Sequence, residues 1–215
     1  HWEFTLGMDR VKEIIEKDFA GKVDFVAQNI KTTAFGDPVF KPYVIKPMNG
    51  VPVAVLGQAF PTPIANPRYM VKDWEFGIQD ENMQKVVDEA RAKGAQVVVV
   101  ISHNGMDVDL KMASRVRGID AIMGGHTHDG MPVASVIKNA GGQTLVTNAG
   151  SIGKFLGVLD FDVKNGKVSD YRYHLLPVFA NMLPADKAMD ALITQIRRPY
   201  EAKLSEQLAI TEGLL

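Results

Sequence analysis

Cysteine is absent from the 215 residues, which excludes disulfides, zinc–thiolate sites, iron–sulfur clusters and a cysteine nucleophile. No apolar run reaches the roughly 18 residues of a membrane-crossing helix, so no membrane partner is expected. An excess of charge of one sign is missing as well. There are 24 Lys and Arg against 25 Asp and Glu, for a net charge of -1, and no basic run to hold nucleic acid or an anionic lipid surface. Neither a signal peptide nor an initiator methionine opens the chain. It starts His1-Trp2-Glu3-Phe4-Thr5 and reads as a processed or truncated piece. Internal repeats and low-complexity tracts are lacking too. What is present is a hydrophobic content of 46% with 23% charged residues, the balance of a globular chain with a buried core.

Hydrophobic spacing gives the order of elements. Val11, Ile14, Ile15 and Phe19 recur at helical intervals over residues 8–18. Val23 to Ile30 reads as a short buried strand ending at Asn29, and 31–42 as loop. Apolar runs flank Asn49-Gly50, a strong hairpin signal. Residues 59–78, rich in proline and aromatics, form a long excursion of the kind that covers sites. Asp80 reads as the N-cap of a helix that Gly94 stops. Ala95 to Ile101 is a continuous β-branched run, the mark of a strand buried on both faces. A helix over 107–116, a strand over 118–123 and a strand over 144–147 follow. Two antiparallel strands, 155–163 and 168–176, turn at Asn165-Gly166. A helical stretch over 185–208 is interrupted near Pro199. This order predicts an α/β class, layered with mixed sheets.

Chemistry concentrates in three of the five histidines. His103, His126 and His128 each fall in a loop directly after an apolar strand, where ligands of α/β folds bind. Glycines flank all three, as Asn104-Gly105, Gly124-Gly125 and Asp129-Gly130, and allow tight turns. A single such histidine is ordinarily a hydrogen-bonded structural residue. Three at two glycine-flanked strand ends point to metal, although imidazole also serves zinc, copper and iron.

Ser102-His103-Asn104-Gly105 followed by Gly124-Gly125-His126-Thr127-His128 resembles the C-terminal half of the calcineurin-like metallophosphoesterases, in particular their 5′-nucleotidase branch. The resemblance implies the C-terminal part of a layered α/β-β/α sandwich over 1–184, with 185–215 as a linker helix towards a further domain. It also implies two metals, with further ligands from Asp-x-His, Gly-Asp and Gly-Asn-His-Glu motifs. Only the last of these has a counterpart. Where the nucleotidase pattern reads Asn-His-Glu-Phe-Asp, His1 takes the metal-binding Asn position, Trp2 replaces the catalytic His and Thr5 the Asp that orients it. A tryptophan cannot be a general acid, so no catalytic residue is assigned in this chain.

The same opening resembles the thiosulfohydrolases of bacterial sulfur oxidation. So do Asp24-Phe25-Val26-Ala27-Gln28-Asn29, Val99 to Asp107, Gly124 to Gly130 and Leu175 to Pro184, so the likeness runs along most of the chain. It implies hydrolysis of a thiosulfate-derived cysteine S-sulfonate on a sulfur-carrier protein. Metal-activated hydroxide would release sulfate in the periplasm. Two divalent ions are implied, manganese first, with zinc or another transition metal as alternatives. His1, His103 and His126 would serve one metal and His128 the other, with the bridging carboxylate supplied from outside the chain. The isolated piece is then expected to bind metal poorly and not to turn over. The alternatives are a conventional 5′-nucleotidase or phosphodiesterase, and a non-catalytic carrier-binding fragment.

Other residues keep two readings each. Trp2 is an apolar wall for the carrier or a core aromatic. Asn104 binds substrate or caps its turn. Asp107 and Asp129 orient imidazoles or are solvated turn residues. The Phe60–Phe76 stretch is a docking lid or an ordinary long loop. Asn29, His174 and Glu3 are expected in supporting roles, Asn29 bonded to a loop and Glu3 fixing a neighbouring segment.

Overall fold

The computed structural model describes residues 1–62 and 68–213, and the chain divides into two compact units, His1–Pro177 and Val178–Leu215. The first unit opens with a 3-10 turn over Trp2–Leu6, helix α1 (Met8–Glu13) and a wider turn over Ile14–Asp18. Strand β1 (Lys31–Thr32) precedes β2 (Tyr43–Met48), β3 (Val51–Gln58) and β4 (Trp74–Glu75). Helix α2 (Asp80–Ala92), β5 (Val97–Ser102), α3 (Met106–Arg115) and β6 (Ala121–Gly124) follow. Strands β7 (Ser135–Asn139), β8 (Gly142–Asn148), β9 (Phe155–Lys164) and β10 (Lys167–Pro177) complete it.

Six strands form one sheet in the order β2-β3-β5-β6-β8-β7. Its centre, β3, β5, β6 and β8, is parallel, and β2 and β7 close the edges antiparallel. This is the mixed α/β architecture expected. Alternation sorts the strands' side chains. Ala54, Leu56, Val98, Val100, Ile122 and Val146 pack against Met83, Val87, Met112 and Ala113 of α2 and α3. Val53, Val97 and Val99 point the other way, onto Phe161, Val163 and Val168 of the β9–β10 hairpin. A second core gathers Phe4, Val11, Ala27, Ile30, Val71 and Trp74 and fixes the start of the chain. Phe4, fully buried, meets Trp74 and Phe76 edge-on at 6.2 and 5.0 Å.

Both Asn-Gly turns form as expected, with positive φ at Asn49 and Gly50 and at Asn165 and Gly166, the requirement of a type I′ hairpin. Two expectations are corrected. Val23 to Ile30 is not a strand. It runs past the sheet in single bonds, Ala27 N–H to the Lys41 carbonyl and Gln28 N–H to the Gly57 carbonyl, so no ladder forms. The N-cap of α2 is Gln79, with φ 50 and no side-chain cap; Asp80 is the first helical residue and pairs with Arg115. Strand β7, which hydrophobic spacing does not reveal, adds to the sheet beyond β8. The excursion over 59–78 is partly described; 63–67 lie outside the described residues, while Asn29 clasps both ends, donating to the Ala59 and Gly77 carbonyls.

The second unit is helical, with α4 (Lys187–Arg197), capped by the Asp186 side chain, and α5 (Glu201–Leu204). It begins at Val178, directly after β10 ends at Pro177. Among the described residues no helix is long and apolar enough to cross a membrane.

Gly57 tests the passage of residues 23–30 across β3. A Cβ there would lie 1.9 Å from the Val26 carbonyl oxygen. Gly57→Ala is expected to destabilise by ~3 kcal/mol or more. Gly77→Ala, whose Cβ has ordinary contacts, should cost far less in chemical denaturation. Equal midpoints would show that the two segments do not touch.

Candidate metal centre

The histidines meet at the C-terminal ends of the parallel strands. His103 follows β5 and His126 follows β6, two strands paired side by side, while His1 is carried in by the anchored Phe4. Among the described residues, His1, His103 and His126 form the one group whose ligand atoms all lie within 4.8 Å of one another. Ring centroids are 4.9 Å apart for His1 and His103, 5.2 Å for His1 and His126, and 5.0 Å for His103 and His126. His128 is exposed and stands outside this group. His126 and His128 both adopt left-handed backbone, with φ 72 and 61, a conformation that costs on the order of 1–3 kcal/mol and collects at functional sites.

The electrostatics suit a cation. Among the described residues, His1 Nδ1 and His103 Nε2 are buried without a hydrogen-bond partner, a costly state for a polar atom unless something binds it. Burial pushes the His103 imidazole down to about 4, with neighbouring positive charge from the N-terminus and His126 adding to the effect. Burial, then His128, lowers His126 as well. Neutral imidazoles keep the lone pairs that metals require. The donor set fits a transition-metal ion.

Behind His103 lies a polar layer that sequence reasoning missed except for Asn104 and Asn29. Asp109, fully buried on α3, accepts from the Ser102 hydroxyl at 2.6 Å and the Asn104 amide at 3.1 Å. The Gln58 amide donates to Asn104 Oδ1 at 2.9 Å, and the Gln28 amide donates to Gln58 Oε1 at 2.7 Å. Asn104 is therefore buried with both ends of its amide engaged, in bonds that support the loop. Asp129 accepts from Thr127, holding the His-Thr-His turn; its contact is with that hydroxyl and not with an imidazole. Asp107 lies in the first turn of α3 and His174 in β10 opposite Val158, both away from the trio. Glu3 pairs with the N-terminal ammonium at 2.9 Å. Trp2 is 76% exposed and stacks on His1 at 5.5 Å, which overturns the core-aromatic reading. Phe60, at the start of the excursion, lies 3.9 Å from the His126 ring and walls one side; its loop position gave no periodic signal.

No protein-family model matches the chain. The fold matches a sulfate thiohydrolase SoxB from Thermus thermophilus with a TM-score of 0.89 and 35% identity, covering 99% of this chain and 38% of that one. A 5′-nucleotidase precursor, also from Thermus thermophilus, follows at 0.81 and 26%, covering 96% and 43%. The chain fits the 5′-nucleotidase branch of the metallophosphoesterase superfamily. The human 5′-nucleotidase is 25% identical over 97% of this chain and 39% of its own length. The chain thus spans less than half of each of these members of the branch.

Asp109 makes the polar layer pH-sensitive. Burial pushes its carboxyl up to about 6, against the opposing hydrogen bonds from Ser102 and Asn104. A raised carboxyl favours the folded state below its unfolded value near 3.8, and that contribution is lost as pH rises through about 6. The stability of the native chain relative to Asp109→Asn should therefore fall by roughly 3 kcal/mol between pH 4 and 7. A flat difference in urea unfolding would contradict this.

Proposed function

We propose that this chain supplies the histidine-rich part of a metal-dependent hydrolase that cleaves a thiosulfate-derived S-sulfonate on a carrier cysteine. The observation that carries the reading is Trp2. It stands exposed against His1, beside three imidazoles arranged to hold a metal, at the position where the nucleotidase pattern has its catalytic histidine. A divalent ion, manganese in our reading, would supply Lewis-acid polarisation and a water of lowered pKa. His1, His103 and His126 would hold one ion, and His128 would face a second. Among the described residues no group of three or more ligating His, Asp or Glu side chains includes His128, so the second ion would draw further ligands from elsewhere.

In the reaction the oxygen of water bonds to the sulfonate sulfur and the S–S bond breaks. Its electron pair stays on the carrier-side sulfur, and sulfate departs with release of protons. The carrier-side sulfur leaves as a thiolate, a weaker base than a sugar alkoxide, so its departure needs a general acid less and tolerates a tryptophan at that position. Trp2 and Phe60 offer apolar faces to the peptide that bears the cysteine. A carrier-bound substrate of this kind suits the periplasm. The high similarity to SoxB over the whole chain supports this reading. The nucleotidase relatives favour a second one, hydrolysis of nucleoside monophosphates.

Parallel assays of the Mn2+-loaded full-length protein separate the two. Sulfate release from an S-sulfonated cysteine peptide is expected, with little phosphate released from nucleoside monophosphates, and His126→Ala should abolish it. Nucleotide turnover without sulfate release would overturn the proposal.

A further inference from the structure

The two histidine loops do not reach each other by backbone pairing alone. Asp109 stands between them. On one side its Oδ1 holds the Ser102 hydroxyl and the Asn104 amide, the residues immediately before and after His103. The Ser102 oxygen in turn accepts from the Asn104 backbone N–H at 3.1 Å, so one carboxylate oxygen closes the loop around His103. On the other side Oδ2 has no hydrogen-bond partner among the described residues and lies against the end of β6. A Cβ built on Gly124 would sit 2.7 Å from it. The next residue, Gly125, is close to His103: a Cβ there would be 3.3 Å from the His103 Nδ1. His126 comes directly after.

We infer that Asp109 is the positioning residue of the centre: it clamps the His103 loop by hydrogen bonds, meets the Gly124–His126 loop by contact, and so sets the separation of the two imidazoles. The inference deepens the metal reading and rests on it for its consequence. A buried carboxylate is a costly choice for a purely structural link. Its two acceptor oxygens allow one to be spent on hydrogen bonds while the other bears on a glycine, a division a hydroxyl could not make. Groups that orient ligands without touching the ion typically change metal affinity by about 10–100-fold.

The test compares the full-length native protein with its Asp109→Ala, Asp109→Asn and Gly124→Ala variants. The first readout is taken without metal: the strength of magnetisation transfer between the His103 and His126 rings in NMR spectra of labelled protein. The second is Co2+ affinity by absorbance titration. Asp109→Ala should lose the inter-ring signal and bind Co2+ at least about tenfold more weakly. Asp109→Asn, which keeps an acceptor oxygen for Ser102 and Asn104, should retain the signal and stay within about threefold. Gly124→Ala pushes on Oδ2 from the far side and should weaken the signal with the methyl spectrum otherwise preserved; it carries the test if Asp109→Ala does not fold. An unchanged signal in Asp109→Ala or Gly124→Ala, or an Asp109→Asn that falls as far as Asp109→Ala, would overturn the inference. Failure of the full-length native protein to take up Co2+ would overturn the metal reading instead, and the metal-free comparison would still decide the role of Asp109.

Discussion

Three imidazoles gathered about 5 Å apart, tilted or edge-on to one another, two of them with a buried nitrogen that no described residue satisfies, are the constraint around which the rest is arranged. Such nitrogens destabilise the fold unless a ligand fills the space between them. The surroundings are built to hold them there all the same. The parallel strands β5 and β6 deliver two of the rings from adjacent positions. The aromatic core under Phe4 delivers the third from the far end of the sequence. Left-handed backbone at His126 and His128 turns that loop sharply at the strand end, a conformation retained only where the surroundings enforce it.

The support is polar because the loops are. Backbone that leaves a sheet edge exposes donors and acceptors that must be paired once buried. Gln28, Gln58, Asn104 and Asp109 bond to one another through their side chains, in a chain running from the segment beside β3 to α3, and the Gln28 and Gln58 amides also donate to the Ile78 carbonyl. Asn29 does the same for the two ends of the excursion, which brings Phe60 over His126. The apolar layers of α2, α3 and the β9–β10 hairpin carry the sheet, while this amide layer carries the site on its edge.

Much of this was legible in the sequence, for physical reasons. Continuous β-branched runs give buried parallel strands, and Asn-Gly pairs give hairpins, because each demands a backbone that few residues satisfy. Strand ends followed by glycine and histidine marked the centre. The misses are equally physical. Val23 to Ile30 has a strand's composition but crosses another strand at Gly57, where only the absence of a Cβ permits the approach. Strand β7 is half-exposed at a sheet edge and has a weak pattern. Gln58 and Asp109 belong to a strand and a helix whose periodicity says only that they are inside; the partners that make a buried amide or carboxylate tolerable come from distant residues. Trp2 was undecided between core and surface because its neighbour Phe4, and not Trp2, fills the core.

The central claim is that His1, His103 and His126 share one cation. Titration of the full-length protein with sub-stoichiometric Mn2+, followed by paramagnetic broadening of histidine ring signals, tests it most directly. The account predicts that the rings of His1, His103 and His126 broaden first and together, with His174 unaffected at the same concentration. Broadening that begins at His174 or at surface carboxylates, or that spares any one of the three, would contradict it.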